Sequence, residues 1–244
     1  MSLTLLTQNR LEDTTSTVTV SVAAATGKPV TRVYDRRKSL QYEGSAAVQT
    51  DIDVDLGSSL ACSAWAFLNH NISGFTLELF AEDASPPTVS QDSLDPAAAD
   101  FLRTFTEATK RYWRARLPDL GATVPLVGEF FLGVHKTLPN PSYGQGELYR
   151  GLVERDETRA GYVWKARLGT VRTELALHWN VMTDANWTIL KAAFDQAYQS
   201  AKPFPMIDHD SNLWFVEFKE NSLRRRRLFT GLNEVEATFL QVLS

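Results

Sequence analysis

The sequence contains few of the residues that build disulfides, metal clusters or membrane spans. Its 244 residues include one cysteine, Cys62, and four histidines that lie far apart. A single cysteine excludes an internal disulfide and a cluster of thiolate metal ligands. No uncharged apolar run approaches the length of a membrane-spanning helix, and the first residues carry no secretion signal. We therefore expect a chain that folds without oxidation and without inserting into a membrane.

An excess of positive charge is also missing. Lysine and arginine number 25 and aspartate and glutamate 29, which gives a net charge of −4 at pH 7. Specific nucleic-acid binding is therefore not expected. The motifs of phosphate-binding loops, zinc proteases and serine hydrolases are absent, and no histidine has a second one at ligand spacing. The sequence thus predicts no catalytic residue, no metal site and no cofactor.

Alternating polar and apolar residues predict short β-strands in the first half. Residues 17–22 and 48–56 alternate, and residues 60–68 form a nearly continuous apolar run, which is typical of a buried strand. Gly57, followed by two serines, is predicted to end the strand before that run. Short strands with polar turns at this spacing favour a β-sandwich over alternating strands and helices.

The second half contains the clearest predicted helix. Residues 162–168 and 173–181 predict a hairpin, and an apolar stripe at helical spacing then runs from Trp187 to Ala201. Prolines and glycines in residues 138–146 mark the best domain boundary. The predicted fold class is mainly β. A β-sandwich would span residues 1–140, and an α+β domain, a barrel or sheet with a helix over 184–201, would span 147–244.

Two acidic groups have both a functional and a structural interpretation. Asp51, Asp53 and Asp55 share one strand face, which fits either calcium ligands or a solvated face. Since the calcium-loop pattern is missing, the solvated face is favoured. Asp208, His209 and Asp210 fit a cation site or a hairpin turn, and the turn is favoured because consecutive strand residues point to opposite faces.

The strongest charge feature is the run Arg224, Arg225, Arg226 and Arg227. It is a candidate subunit interface, and a solvated strand rim explains it equally well. Nucleic-acid contact is the least favoured interpretation because no aromatic residue interrupts the run. The six tryptophans fit a sugar-stacking platform or a core, and their place in apolar patterns favours the core.

Five short segments occur in an order and at a spacing that resemble a known family. They are Val33-Tyr34-Asp35, Val54-Asp55-Leu56-Gly57, the stretch 66–74, Arg111-Tyr112-Trp113-Arg114, and Val127-Gly128-Glu129 followed by Phe131-Leu132-Gly133. The first half thereby resembles the galactose-binding-like, discoidin-type β-sandwich found in tail proteins of tailed bacteriophages. Carbohydrate binding in that superfamily lies on loops at one end. The resemblance makes Asn69, His70 and Asn71 the candidate ligand loop.

The last part of the chain resembles a different domain. A tryptophan-rich hairpin, the helix from Trp187, Lys202-Pro203-Phe204 and closing strands through Asn233-Glu234-Val235 are similar to the one-helix β-barrel of siphophage tail-tube and distal-tail proteins. In that group the domain forms rings, usually hexamers, around the tail channel. The resemblance implies that the arginine run meets a neighbouring subunit.

The leading hypothesis is a structural subunit of a phage tail tip or baseplate, located in the virion tail and made in the host bacterial cytoplasm. Its ring would connect the tail tube to the tip hub or fibres. Its partners would be copies of itself, the tube, hub and fibre proteins, and a host glycan. The alternative hypothesis is a carbohydrate-binding module of a receptor-binding protein. An enzyme would need a convergent acid–base pair, which the sequence does not indicate.

Overall fold

The computed structural model describes residues 2–142, 146–150, 153–157, 163–167, 172–198, 201–220 and 222–242. Antiparallel strands dominate this part of the chain, in a six-stranded sheet, an eight-stranded sheet and two pairs of strands. The predicted mainly β fold class is confirmed. No helix in the described ranges is long and apolar enough to cross a membrane.

The strands are numbered in chain order. The first half contains β1 (Leu3–Leu5), β2 (Thr17–Val20), β3 (Tyr42–Glu43), β4 (Thr50–Leu68), β5 (Leu77–Glu82), β6 (Ser90–Leu94), β7 (Phe101–Leu117), β8 (Leu126–Val127), β9 (Glu129–Gly133) and β10 (Lys136–Leu138). The second half contains β11 (Gly146–Arg150), β12 (Val153–Glu157), β13 (Val163–Arg167), β14 (Arg172–Thr183), α1 (Asp184–Tyr198), β15 (Phe204–Ile207), β16 (Leu213–Phe218), β17 (Arg224–Phe229) and β18 (Leu232–Gln241).

The sandwich is built on the long antiparallel pair β4 and β7. β2 pairs with the first part of β4 and β9 with its last part, and the β4–β7 register shifts between Asp55 and Leu60 and again between Cys62 and Ala64. The predicted end of a strand at Gly57 is therefore wrong. Gly57 has a φ of +76°, which a glycine adopts without strain, so the strand kinks there and continues.

Both parts of β4 contribute to one apolar core. Ile52 and Val54 from its first part pack in the same buried cluster as Trp65 and Phe67 from its last part. The ring of Phe67 stacks on Phe130 with centroids 4.7 Å apart. The core interpretation of the tryptophans is confirmed for three of them, which are fully buried: Trp65, Trp113 and Trp179. The side chain of Trp164 lies outside the described residues.

The eight-stranded sheet follows the order β10-β1-β15-β16-β18-β14-β11, and β17 also pairs with β18. The N-terminal strand β1 thus lies in the sheet of the second unit, between β10 and β15. The sandwich is consequently an insertion between β1 and β10. The boundary predicted over 138–146 begins inside β10, so the sheets do not divide at residue 140, and residues 143–145 lie outside the described ranges.

Helix α1 covers this sheet and confirms the prediction over Asp184–Tyr198. The backbone N–H of Asn186 donates to the Thr183 hydroxyl at 3.2 Å, which caps the first turn. Leu190, Ala193 and Ala197 are buried against the sheet. Residues 199 and 200 of the predicted helix lie outside the described part.

The hairpin predicted from residues 162–168 and 173–181 is wrong. β13 pairs with β12, and β14 pairs with β11, so β13 and β14 are not partners of each other among the described residues. The sequence reasoning did not detect β12. Its composition, Val-Glu-Arg-Asp-Glu, is almost entirely charged, so it has no apolar alternation to indicate a strand.

A buried arginine joins the two units. Arg36 forms an ion pair with Glu12 and donates to the backbone oxygens of Thr7 and Pro203, at 3.3 and 2.7 Å. Its guanidinium carbon lies 5.3 Å from the ring centre of Phe131. Lys202 pairs with the same Glu12 from the other side. Because these groups come from both units, they fix how the units meet.

Candidate functional site

The outer face of the sandwich sheet carries polar residues in cross-strand rows. The register places Thr17, Asp55 and Tyr112 in one row on β2, β4 and β7. A second row contains Thr19, Asp53 and Arg114, and a third contains Asp51 and Arg116. These eight residues are called the Asp–Arg face. They share it because side chains two residues apart along a strand point to the same side.

Three arginines pair with the three aspartates of this face. Arg116 binds Asp51 with its Nε and Nη2 atoms at 2.9 and 3.2 Å, and Arg114 binds Asp53 at 2.6 and 3.1 Å. Arg111, beside the face, binds Asp55 at 2.8 and 2.9 Å. Each pair is bidentate, which is the strongest geometry that a guanidinium and a carboxylate form.

The solvated-face interpretation of the aspartates is therefore only partly correct. Asp51 is 8% exposed and its carboxylate also lies 3.2 Å from Arg114. The hydrogen bond from Arg111 is the main cause that lowers the pKa of Asp55. The hydrogen bond to Asp53 raises the pKa of Arg114, and the hydrogen bond to Asp51 raises the pKa of Arg116. Each carboxylate of the face therefore has an arginine partner.

A groove of about 230 Å³ lies at one side of the Asp–Arg face, next to the loop that contains Ser85 and Pro87. Thr17, Thr19, Asp55 and Tyr112 line it. Among the described residues, the hydroxyl groups of Thr17, Thr19 and Tyr112 have no hydrogen-bond partner. The guanidinium of Arg111 lies 4.8 Å from the ring centre of Tyr112. Free hydroxyls, the aromatic ring of Tyr112 and the carboxylate of Asp55 thus line one groove.

The predicted ligand loop has its polar groups turned inward. The Asn69 amide donates to the backbone oxygen of Lys38 at 2.7 Å, and the Asn71 amide donates to Val124 and accepts from the N–H of Leu126, both at 2.8 Å. His70 is buried, and burial lowers its pKa to about 4. These three side chains hold the loop. Ligand binding by this loop stays a prediction, and Phe75 is its exposed aromatic residue.

The arginine run forms the first four residues of strand β17, and two of its side chains have partners within the chain. Arg225 donates to Asp184 and Asn233 and lies over the ring of Trp187. Arg226 pairs with Glu234 at 3.3 Å. Within the described ranges, Arg224 and Arg227 form no ion pair. The structure does not bring the four together around one point, and the interface role stays a prediction.

The turn interpretation of Asp208, His209 and Asp210 is confirmed. They join β15 to β16, and the Asp208 carboxylate accepts the indole N–H of Trp214 at 2.8 Å and the backbone N–H groups of Asp210 and Asn212. Burial alone would raise the pKa of Asp208, but these hydrogen bonds outweigh it and lower that pKa.

Sequence reasoning missed Glu129, the most unusual ionisable group in the sandwich. It is fully buried on β9, and neither carboxylate oxygen has a hydrogen-bond partner of good geometry among the described residues. Burial, and next the neighbouring Asp35 carboxylate, raise its pKa to about 10. The side chain is therefore neutral at pH 7. A charged residue in the otherwise apolar strand Glu129–Gly133 was the available signal.

Neither the Ser63–His135 contact nor the acidic and histidine side chains of the described residues form a site for chemistry. Ser63 accepts from the backbone of His135 and contacts its Nδ1 at 2.8 Å, but Ser63 is buried, so no substrate reaches its hydroxyl. In the described part of the chain, no group of three or more His, Cys, Asp or Glu side chains is placed to hold a metal ion.

Comparison with known proteins gives matches to solved structures only. No family model and no curated relative matches the sequence. A Ruminococcus gnavus GH29 fucosidase in complex with fucose is 15% identical over 54% of this chain, with a TM-score of 0.49, and the match spans 28% of that enzyme. Chitosan-binding module 1 of a Paenibacillus chitosanase/glucanase is 20% identical over 51% of this chain and 98% of the module, with a TM-score of 0.44.

A module named CBM32-1, from a Clostridium perfringens family 31 glycoside hydrolase, is 12% identical over 52% of this chain and 97% of its own length, with a TM-score of 0.45. These similarities are limited to about half of the chain. The assignment of a mainly β fold rests on the strand pairing described above.

Proposed function

We propose that the chain is a non-catalytic glycan-binding protein and that the groove on the Asp–Arg face is its binding site. The observation that carries the proposal is the set of hydroxyls on Thr17, Thr19 and Tyr112 that line this groove without a partner. A sugar offers many hydroxyl groups in a rigid ring, so it is recognised by neighbouring donors and acceptors in fixed positions.

The ion pairs of the face support the same ligand. Asp55 and Arg111 are held in a bidentate pair, which presents planar donors and acceptors at little cost in side-chain entropy. The ring of Tyr112 offers an apolar surface for the C–H face of a sugar. A groove of about 230 Å³ is below the size that buries a whole drug-sized ligand, so we expect it to hold a single sugar residue of a longer glycan.

A glycan array followed by calorimetric titration tests the proposal. We expect the intact chain to bind a subset of glycans and the Tyr112→Ala variant to lose at least about fivefold in affinity, since stacking on an aromatic ring contributes about 1 kcal/mol or more. Phe75→Ala, which changes the exposed aromatic residue of the 69–75 loop, is the matched control and should bind normally. Absence of glycan binding, or loss of binding in the control alone, would refute the proposed site.

The second candidate is a structural subunit of a phage tail tip or baseplate. Strand β17 favours it, because four exposed arginines lie on a strand that pairs on one side only in the described chain. Electron microscopy of the purified protein should then reveal rings. A strict monomer that also fails to restore tails in a complementation assay would rule this candidate out.

A further inference from the structure

The loop between β4 and β5 is closed around a buried histidine. His70 is 4% exposed, and its backbone N–H donates to the backbone oxygen of Ala99 at 3.0 Å. Its ring lies edge-on to the rings of Phe67 and Phe101, with centroids 6.3 and 5.6 Å away. The imidazole is therefore surrounded largely by apolar groups, which solvate a positive charge poorly.

A hydrogen bond that His70 accepts fixes where its ring carries a proton. Nδ1 accepts the backbone N–H of Ile72 at 3.1 Å, which requires a lone pair on that nitrogen. The one proton of the ring is then on Nε2, which is buried and has no hydrogen-bond partner among the described residues. A second proton can be added only at Nδ1, where it would face the N–H of Ile72. Protonation therefore breaks this bond, because two donors would oppose each other.

The surroundings of the ring oppose its protonation at neutral pH. Among the described residues, Asp100 is the charged group that acts on the imidazole, and it favours the protonated form. Its carboxylate is already bound by the Lys38 ammonium and by the backbone N–H of Asn69. Burial outweighs Asp100 and lowers the pKa of His70 from 6.5 to about 4.

The loop is anchored on both sides of Ile72. The side chain of Asn71 forms two hydrogen bonds of 2.8 Å with the backbone of residues 124–126, and the Gly74 N–H donates to a backbone oxygen at 2.9 Å. Between these anchors Ile72 is fully buried in the core of the sandwich. Phe75, which follows the second anchor, is 42% exposed. Release of Ile72 would therefore enlarge the apolar surface of this loop.

We propose that residues 69–75 form an acid-sensitive switch, in which protonation of His70 releases Ile72 from the core. At neutral pH the bond to Nδ1 keeps the loop closed. Below about pH 6.5 the open loop takes up a proton that the closed loop does not hold, so falling pH favours opening. Between about pH 7 and pH 4.5 the equilibrium shifts toward the open loop by roughly 50-fold. The switch does not involve the groove on the Asp–Arg face and is independent of glycan binding.

Hydrogen exchange of the intact chain, corrected for intrinsic exchange rates, tests the switch at about pH 7 and pH 4.5. We expect the protection of the Ile72 amide in wild type to fall roughly 50-fold at the lower pH. The amides of β4 should stay far better protected than Ile72 at both pH values, because they exchange only when the sandwich unfolds. Equal protection of the loop and of β4 at pH 4.5 would overturn the proposal, since it would indicate unfolding of the sandwich instead of opening of the loop.

Two variants separate His70 from the other titrating groups. His70→Gln does not gain a charge in acid and keeps a side-chain oxygen that can accept the Ile72 N–H, so its protection should be alike at both pH values. His178→Gln is the matched control, because His178 lies in the other unit with a side chain 32% exposed, and this variant should respond as wild type does. If His70→Gln does not fold, the wild-type comparison still decides. Constant protection of Ile72 in wild type, or an equal loss in His70→Gln, would refute the switch.

Discussion

The buried carboxyl of Glu129 predicts that stability falls as the pH rises. Its pKa is raised from 4.5 to about 10 in the folded chain, mainly by burial. Between these values the folded state holds a proton that the unfolded state has released. The free energy of unfolding therefore decreases by about 1.4 kcal/mol per pH unit, from its full value below about pH 4.5. Over 1.5 pH units this amounts to about 2 kcal/mol.

Urea unfolding of wild type and Glu129→Gln at about pH 7 and pH 8.5 measures this contribution. The glutamine cannot release a proton, so we expect the variant to gain about 2 kcal/mol relative to wild type over this interval. His70, whose pKa is lowered to about 4, affects stability between that value and 6.5, below the interval. Taking the difference between the two proteins cancels the other titrating groups.

Glu107→Gln is the matched control because Glu107 is exposed on β7. It should follow wild type at both pH values. A difference between wild type and Glu129→Gln that stays constant from pH 7 to pH 8.5 would refute the reasoning, because it would mean that the Glu129 carboxyl is already ionised in the folded state at pH 7.

Two further changes test the ion pairs. Arg114→Ala removes the partner of Asp53 and a contact of the buried Asp51, so we expect the free energy of unfolding in urea to fall by about 2 kcal/mol. Arg111→Ala, at a more exposed side chain, should lower it clearly less. Equal losses would contradict the burial argument. Arg36→Ala should cost about 3 kcal/mol and open the junction of the two units to limited proteolysis, because Glu12, whose side chain is only 12% exposed, loses this cation. Lys202→Ala, at a side chain 42% exposed, should cost at most about 1 kcal/mol. Protection of the junction in Arg36→Ala would contradict its role.

The sequence was sufficient to predict features that depend on local pattern. Alternation along 48–56 and the apolar run 60–68 predicted strand residues and most of their burial, although both belong to the single strand β4 and Val48 is exposed. The helical stripe of Trp187, Leu190 and Ala197 predicted α1 and its buried side. The turn at Asp208 was also predicted, because its short polar side chain bonds the backbone two and four residues later.

Features that depend on pairing between distant strands were not predicted. Nothing in β1, Leu3–Leu5, indicates that this strand would lie beside β15, about two hundred positions away in the chain. The three aspartates looked solvated because their arginine partners come from β7, and only the register of β4 against β7 brings them together. The groove on this face depends on the same register, so sequence reasoning could not identify it and named only the 69–71 loop as a candidate ligand site.

A crystal structure of the full chain soaked with a glycan that binds on the array is the most direct test of the binding site. We expect one sugar ring over Tyr112, with its hydroxyls bonded to Thr17, Thr19 and the Asp55–Arg111 pair. A sugar bound at the 69–75 loop, with the groove on the Asp–Arg face occupied by solvent, would contradict the account.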